Sequence, residues 1–162
     1  MTPGYTRVLR AASRWPVVLV LLLWLSPGSA CSYPADPGGP WTADEALAPA
    51  DLAATLRGSG TKPTIVYVGF RALYRPGHIP GATFRGPASD AAGMAELRQW
   101  AASQPRDAPL VVYCGCCPFE QCPNIVPAYR ALRELGFTKI RVLILPTSFE
   151  VDWVEKGLPT ER

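Results

Sequence analysis

The chain has 162 residues, of which 48% are hydrophobic, and this is enough for one domain with an ordinary core. Its formal net charge of +3 comes from the first thirty residues, which contain Arg7, Arg10 and Arg14 and no acidic residue. The remainder carries equal numbers of basic and acidic residues. A neutral domain without a basic stripe argues against nucleic-acid binding.

Residues 1–30 are predicted to be a signal peptide. The three arginines precede an apolar run at residues 17–25, which is too short to span a bilayer but suits a secretory signal. Small residues then precede Cys31, as in the lipobox of bacterial lipoproteins, so lipidation of Cys31 and ordinary cleavage after Ala30 remain alternatives. We expect export to the periplasm or the outer face of a membrane, with membrane contact only through such a lipid. Disulfides persist in that compartment.

Residues 31–40 are rich in proline and glycine and are predicted to be a flexible tether, followed by one domain at residues 41–162. Thr42 and Glu45 match a capping box and predict the start of a short helical region. Its apolar face is expected to be formed by Leu47, Leu52 and Leu56.

Strands and helices are predicted to alternate along the rest of the domain. Buried strands are expected at residues 64–68, 110–113 and 140–145, and helices at 91–102, 125–135 and 151–156. Asn124 is expected to cap the second of these helices, and Met94, Leu97 and Trp100 to face inward from the first. Residues 69–80 should be a loop with one helical turn at most. This alternation predicts an α/β fold with a parallel sheet covered on both faces.

Four of the five cysteines lie in the short segment between a predicted strand and the next helix. Ligands bind at this edge of an open α/β sheet, where backbone N–H groups converge on an anion. A thiolate is such an anion, and we expect N–H groups of Gly115, Cys116, Cys117 and Phe119 to stabilise it. The predicted active-site loop comprises Cys114, Gly115, Cys116, Cys117, Pro118, Phe119, Glu120, Gln121 and Cys122.

Residues 74–82 (YRPGHIPGA) resemble the Y-x-x-GHIPGA signature of single-domain rhodaneses, which are sulfurtransferases. The segments at 111–114, 131–137 and 153–159 resemble, in the same order, that family's cysteine strand, following helix and closing W-x-x-x-G-x-P motif. The chain departs from the family at Tyr67-Val68-Gly69, where Asp-Val-Arg is usual. It also has no arginine or lysine between Cys114 and Asn124. It resembles a divergent, exported branch with a cysteine-rich active loop.

The resemblance implies a rhodanese-like fold with a roughly five-stranded, mostly parallel sheet flanked by helices. It also implies that Cys114 is the nucleophile of a sulfurtransferase. Cys114 would take sulfane sulfur from a small donor as a persulfide and pass it to a thiol, to cyanide or to a protein acceptor, without a metal or cofactor. Arg71, Arg75 and Arg85 are the candidates for binding an anionic donor.

The remaining loop cysteines leave other interpretations open. Cys114-x-x-Cys117 has the spacing of a redox pair, so Cys117 or Cys122 is a candidate resolving or disulfide partner of Cys114. A permanent structural disulfide between cysteines of the loop is an alternative of equal weight to the redox role. The C-x-C-C-x4-C pattern also allows a non-catalytic thiol or metal-binding module for Cu(I) or Zn(II), or a sulfur carrier.

Overall fold

The computed structural model describes Met1 and residues 38–162, so the predicted signal peptide, Cys31 and most of the predicted tether lie outside the described residues. Residues 38–162 belong to one compact unit that contains a five-stranded parallel sheet in the order β1-β5-β4-β2-β3. The strands are β1 Ala46–Leu47, β2 Thr64–Tyr67, β3 Ala82–Phe84, β4 Leu110–Tyr113 and β5 Ile140–Leu143.

Helices cover both faces of this sheet. They are α1 Pro49–Arg57, α2 Arg71–Tyr74, α3 Ala91–Ala102 and α4 Ile125–Glu134. Two 3₁₀ turns lie at Ala43–Glu45 and Phe119–Gln121, and a π-helical turn lies at Glu150–Val154. Among the residues described, no helix has both the length and the apolar character that crossing a bilayer requires.

The core occupies both faces of the sheet, because side chains alternate in direction along each strand. On one face Val66 and Val112 pack with Leu132 of α4. On the opposite face Val111 packs with Ile65 and Trp153. All four residues of the central strand β4 are buried, as expected for a parallel strand between two helical layers.

Helix α3 has the predicted bounds. The Asp90 carboxylate accepts a hydrogen bond from the Gly93 N–H at 2.7 Å, which satisfies one of the free donors at the start of the helix. Leu97 is completely buried, while Met94 and Trp100 are partly buried against the same core. Strand β4 also begins and ends where predicted.

The prediction was wrong at the first element of the domain. The Glu45 carboxylate accepts a hydrogen bond from the Thr42 N–H at 2.8 Å, as in a capping box, but only a 3₁₀ turn follows. Leu47 lies in β1 opposite Leu143 of β5 instead of on a helical face, and α1 begins at Pro49. Parallel pairing with β5 supplies the backbone partners that a continuing helix would have used.

Other boundaries also differ from expectation. Strands β2 and β5 end at Tyr67 and Leu143, earlier than predicted, and β3 was not predicted as a strand. The helix expected at 151–156 is the π-helical turn Glu150–Val154. Residues 69–80 do contain a single turn of helix, which is α2.

Candidate active site: the thiol loop

The thiol loop, residues 114–124, connects β4 to α4. Cys114 is the first residue after β4, the middle strand of the sheet, and only 1% of it is exposed. Cys116, Cys117 and Cys122 are half-buried, and all four cysteines are free thiols. The loop therefore brings four thiols to the carboxyl end of the sheet, where ligand sites of open α/β folds lie.

Two backbone hydrogen bonds join the thiol loop to the segment that follows β5. The Phe149 N–H donates to the Gly115 carbonyl at 3.0 Å, and the Phe119 N–H donates to the Pro146 carbonyl at 3.2 Å. The expectation that the Phe119 N–H faces a thiolate is therefore wrong. Gly115 has φ +77°, and a Cβ atom there would lie 2.7 Å from Cβ of Phe149, so only glycine fits.

Three of the sulfur atoms form a cluster. The Sγ atoms of Cys114, Cys116 and Cys122 all lie within 4.8 Å of one another, and those of Cys116 and Cys122 are 4.0 Å apart. We call these three residues the three-sulfur cluster. Cys117 lies outside it, with its Sγ 3.2 Å from that of Cys116. Burial, followed by the hydrogen bond with Cys116, raises the pKa of Cys117 to about 12. Of the two predicted partners of Cys114, the structure brings Cys122 into its cluster.

Asn124 faces the sulfur atoms and is completely buried. Its Oδ1 accepts a hydrogen bond from the Ser89 N–H at 3.0 Å, which fixes the orientation of the amide. Its Nδ2 then donates toward Sγ of Cys114 at 3.6 Å and of Cys116 at 3.8 Å. Asn124 occupies the N-cap position of α4, as predicted, but its side chain makes no capping hydrogen bond. Nothing in the sequence indicated its contact with the thiols.

Gly69 and Tyr67 form the wall against which Cys114 packs. A Cβ atom on Gly69 would lie 2.6 Å from both the Cys114 Sγ and the Tyr67 Oη, so both atoms use space that the missing side chain leaves. Tyr67 is 2% exposed, and its hydroxyl has no hydrogen-bond partner in the described structure. Burial raises the pKa of Tyr67. In the sequence, these two positions differ from the rhodanese pattern but carry no other signal of a role at the site.

The cysteines differ in how readily they ionise. A hydrogen bond from the Cys114 thiol lowers the pKa of Cys116 to about 5, although burial opposes this. The same thiol, followed by the backbone N–H groups of Asn124 and Ile125, lowers the pKa of Cys122. The pKa of Cys114 is raised, because its thiol hydrogen-bonds to these two sulfurs and because it is buried. Cys116 and Cys122 therefore lose their protons more readily than Cys114.

A cavity of about 510 Å³ opens beside the thiol loop. Gly115 and Cys116 form its wall on the loop side, whereas Cys114 does not line it. Two of its other lining residues, Leu73 and Val154, are apolar and exposed. A ligand in this cavity would therefore contact residue Cys116 and not Cys114.

The three predicted anion-binding arginines do not line this cavity, and Arg162 is the cation that does so within the described part of the chain. The Arg71 guanidinium lies 4.0 Å above the Phe84 ring and 3.9 Å from the Glu96 carboxylate. Arg85 donates to the Phe84 carbonyl at 2.5 Å. That Arg71, Arg75 or Arg85 binds an anionic donor stays a prediction.

No protein-family model matches the chain, and no curated protein matches it. Solved structures do match. The rhodanese-like domain of an Anabaena protein is 23% identical, with a TM-score of 0.54, covering 72% of this chain and 78% of the other. A rhodanese-related protein from Thermoplasma volcanium is 20% identical, with a TM-score of 0.51 and 72% and 97% coverage.

A thiosulfate sulfurtransferase from Pseudomonas aeruginosa is 21% identical, with a TM-score of 0.50. The match covers 72% of this chain and 19% of that longer one. At these identities the similarity establishes the fold. The five parallel strands and the helices on both faces agree with it. The described domain therefore has a rhodanese-like fold.

Proposed function

We propose that the protein is a sulfurtransferase that carries sulfane sulfur as a persulfide on Cys114. The observation that carries the proposal is the position of Cys114, directly after the middle strand of a rhodanese-like sheet. Its Sγ packs against Gly69 and receives a hydrogen bond from the Asn124 amide. A buried sulfur beside a fixed N–H donor suits an intermediate that must be kept from water.

The reaction would need two displacements at sulfur. The Cys114 thiol first gives its proton to water. The resulting thiolate attacks the sulfane sulfur of the donor, whose S–S bond breaks and whose remaining part leaves with the electron pair. A Cys114 persulfide is formed. A thiol or cyanide then attacks the outer sulfur of the persulfide, and the Cys114 thiolate is released. No net oxidation of the protein occurs.

Access to Cys114 is the critical point, because Cys116 and not Cys114 lines the cavity. A small donor must displace the Cys116 side chain, which is half-buried, or deliver its sulfur through Cys116. The apolar cavity rim at Leu73 and Val154 favours an acceptor larger than cyanide, such as a protein thiol.

The test is mass spectrometry of the full chain, reduced and without oxygen, before and after addition of thiosulfate or glutathione persulfide. We expect one added sulfur atom, located on Cys114 by fragmentation and removed by added thiol or cyanide. The Cys114→Ser variant should gain none, whereas Cys117→Ser, outside the three-sulfur cluster, should behave as wild type.

Other results would favour the remaining interpretations. Sulfur on Cys116 in both wild type and Cys114→Ser would keep the reaction and overturn the assigned nucleophile. A reversible disulfide between Cys114 and Cys117, with no added sulfur, would indicate a thiol–disulfide redox protein. Absence of added sulfur with every donor would reject sulfur transfer.

A further inference from the structure

We propose that the three-sulfur cluster binds one Cu(I) ion through the Sγ atoms of Cys114, Cys116 and Cys122. Such a site goes beyond sulfur transfer and does not depend on it. Sulfur transfer requires only one nucleophilic sulfur, whereas this site requires three sulfur atoms that converge on one point.

The spacing of the sulfur atoms fits a single metal ion. A metal bound to thiolates at about 2.3 Å, at the centre of a triangle of three sulfurs, holds them about 4.0 Å apart. The Sγ atoms of Cys116 and Cys122 are 4.0 Å apart, and no pair in the cluster is separated by more than 4.8 Å. The sulfur atoms therefore need to move toward one another by less than 1 Å to reach the spacing that the ion requires.

The kind and number of ligands select the metal. Thiolates are soft ligands that favour Cu(I) and Zn(II) over Mg²⁺, Ca²⁺ or Mn²⁺. A structural zinc site needs four ligands in a tetrahedron. Among the described residues, the group around these sulfurs consists of three cysteines, without a histidine or carboxylate. Cu(I) is stable with three sulfur ligands, so these three cysteines would complete its coordination.

The surroundings support ligands that carry negative charge. The Asn124 amide, held by the Ser89 N–H, donates toward two of the three sulfurs and orients them as an outer hydrogen-bond shell does around a metal. Cys116 lines the cavity and gives the ion a route from solvent. Any proton still on a ligating thiol passes to water as the metal binds.

The experiment titrates the reduced full chain with Cu(I), without oxygen, against the chromogenic chelator bicinchoninate. We expect one equivalent of copper to be withheld from the chelator, and X-ray absorption to show three sulfur neighbours at about 2.3 Å. Cys116→Ser and Cys122→Ser, at half-buried positions, should each weaken the apparent affinity at least about 100-fold. Cys114→Ser should do the same, with circular dichroism to verify folding.

The matched control is Cys117, the loop cysteine that lies outside the cluster. Cys117→Ser should retain the wild-type affinity and stoichiometry. The proposal is overturned if the chelator takes all the copper, if Cys117→Ser weakens binding as much as the cluster variants, or if Zn(II) binds with four sulfur neighbours in preference to Cu(I). Because sulfur uptake is measured on the metal-free protein, failure of one proposal is distinguishable from failure of the other.

Discussion

The thiol loop lines the cavity through Gly115 and Cys116, whereas the C-terminal clamp lies next in sequence to the lining residues Gly77, Thr160 and Arg162. The two regions differ in how their polar groups are satisfied. We call His78, Gly81 and Glu161 the C-terminal clamp. His78 and Glu161 exchange two backbone hydrogen bonds at 2.9 Å, and the Glu161 carboxylate accepts the Gly81 N–H at 2.7 Å. The His78 ring stacks on Tyr74 at 3.8 Å. In the clamp each of these groups has a close, well-directed partner.

In and around the thiol loop, buried polar groups have more distant hydrogen-bond partners or none. The Asn124 amide donates only to sulfur atoms at 3.6 and 3.8 Å, and the neighbouring Tyr67 hydroxyl has no partner. Buried polar groups without good partners destabilise a fold, so they persist where something else requires them. The clamp therefore fixes the chain beside the cavity, and the thiol loop retains buried groups able to interact with a ligand.

The largest loss of stability is expected from a substitution at Gly69, which tests the packing around Cys114. Gly69→Ala places a Cβ atom 2.6 Å from the Cys114 sulfur and the Tyr67 hydroxyl, so one of them must move. We expect the free energy of unfolding, measured by urea denaturation, to fall by about 3 kcal/mol. Gly60→Ala, with nothing within 4 Å of the new Cβ atom, is the control and should change stability by less than about 0.5 kcal/mol. Equal stability of the two variants would contradict close packing of Gly69 against Cys114 and Tyr67.

An intermediate loss of stability is expected when the side-chain amide of Asn124, which links Ser89 to the thiols, is removed. Asn124→Ala leaves the Ser89 N–H without its side-chain acceptor and should lower the free energy of unfolding by about 2 kcal/mol. Asn124→Asp keeps an acceptor for Ser89 but replaces the amide donor facing the sulfurs. If Asn124→Asp is as stable as wild type, the contacts between the amide and the sulfurs contribute nothing to stability.

The smallest effect is expected in the C-terminal clamp, where water replaces a lost partner. The Glu161 side chain is 47% exposed, so Glu161→Ala should cost about 1 kcal/mol of unfolding free energy through loss of the Gly81 hydrogen bond. Glu161→Gln keeps an acceptor and should cost less. Thermal unfolding of the three proteins checks this order. A loss in Glu161→Ala larger than that in Asn124→Ala would reverse the comparison between clamp and loop.

Sequence patterns predicted a strand or helix correctly where the residues that determine it lie within that element. The four apolar residues of β4 lie within one strand and the apolar periodicity of α3 within one helix, so both elements were predicted with the right bounds. Strand β1 has only two residues and therefore no pattern of its own. It exists because Ala46 pairs with Val142, far along the chain, and no local signal encodes that pairing.

In the candidate site, too, local features could be predicted from the sequence and long-range contacts could not. The four thiols and their position after a buried strand were readable from sequence, whereas their arrangement was not. Cys117 was the nearer partner by spacing, but the path of the loop places Cys122 in the cluster with Cys114. Asn124 resembled an ordinary cap, and its contact with the sulfurs depends on Ser89 in another loop.

The close contact at Gly69 has an evolutionary consequence. Since one point beside Gly69 lies 2.6 Å from both the Tyr67 hydroxyl and the Cys114 sulfur, positions 67, 69 and 114 cannot vary independently. In natural chains of this fold, we expect a side chain at position 69 to be accompanied by a shorter residue at position 67. Covariation between alternate positions of one short segment would then reflect a shared volume around a cysteine, and not pairing between strands.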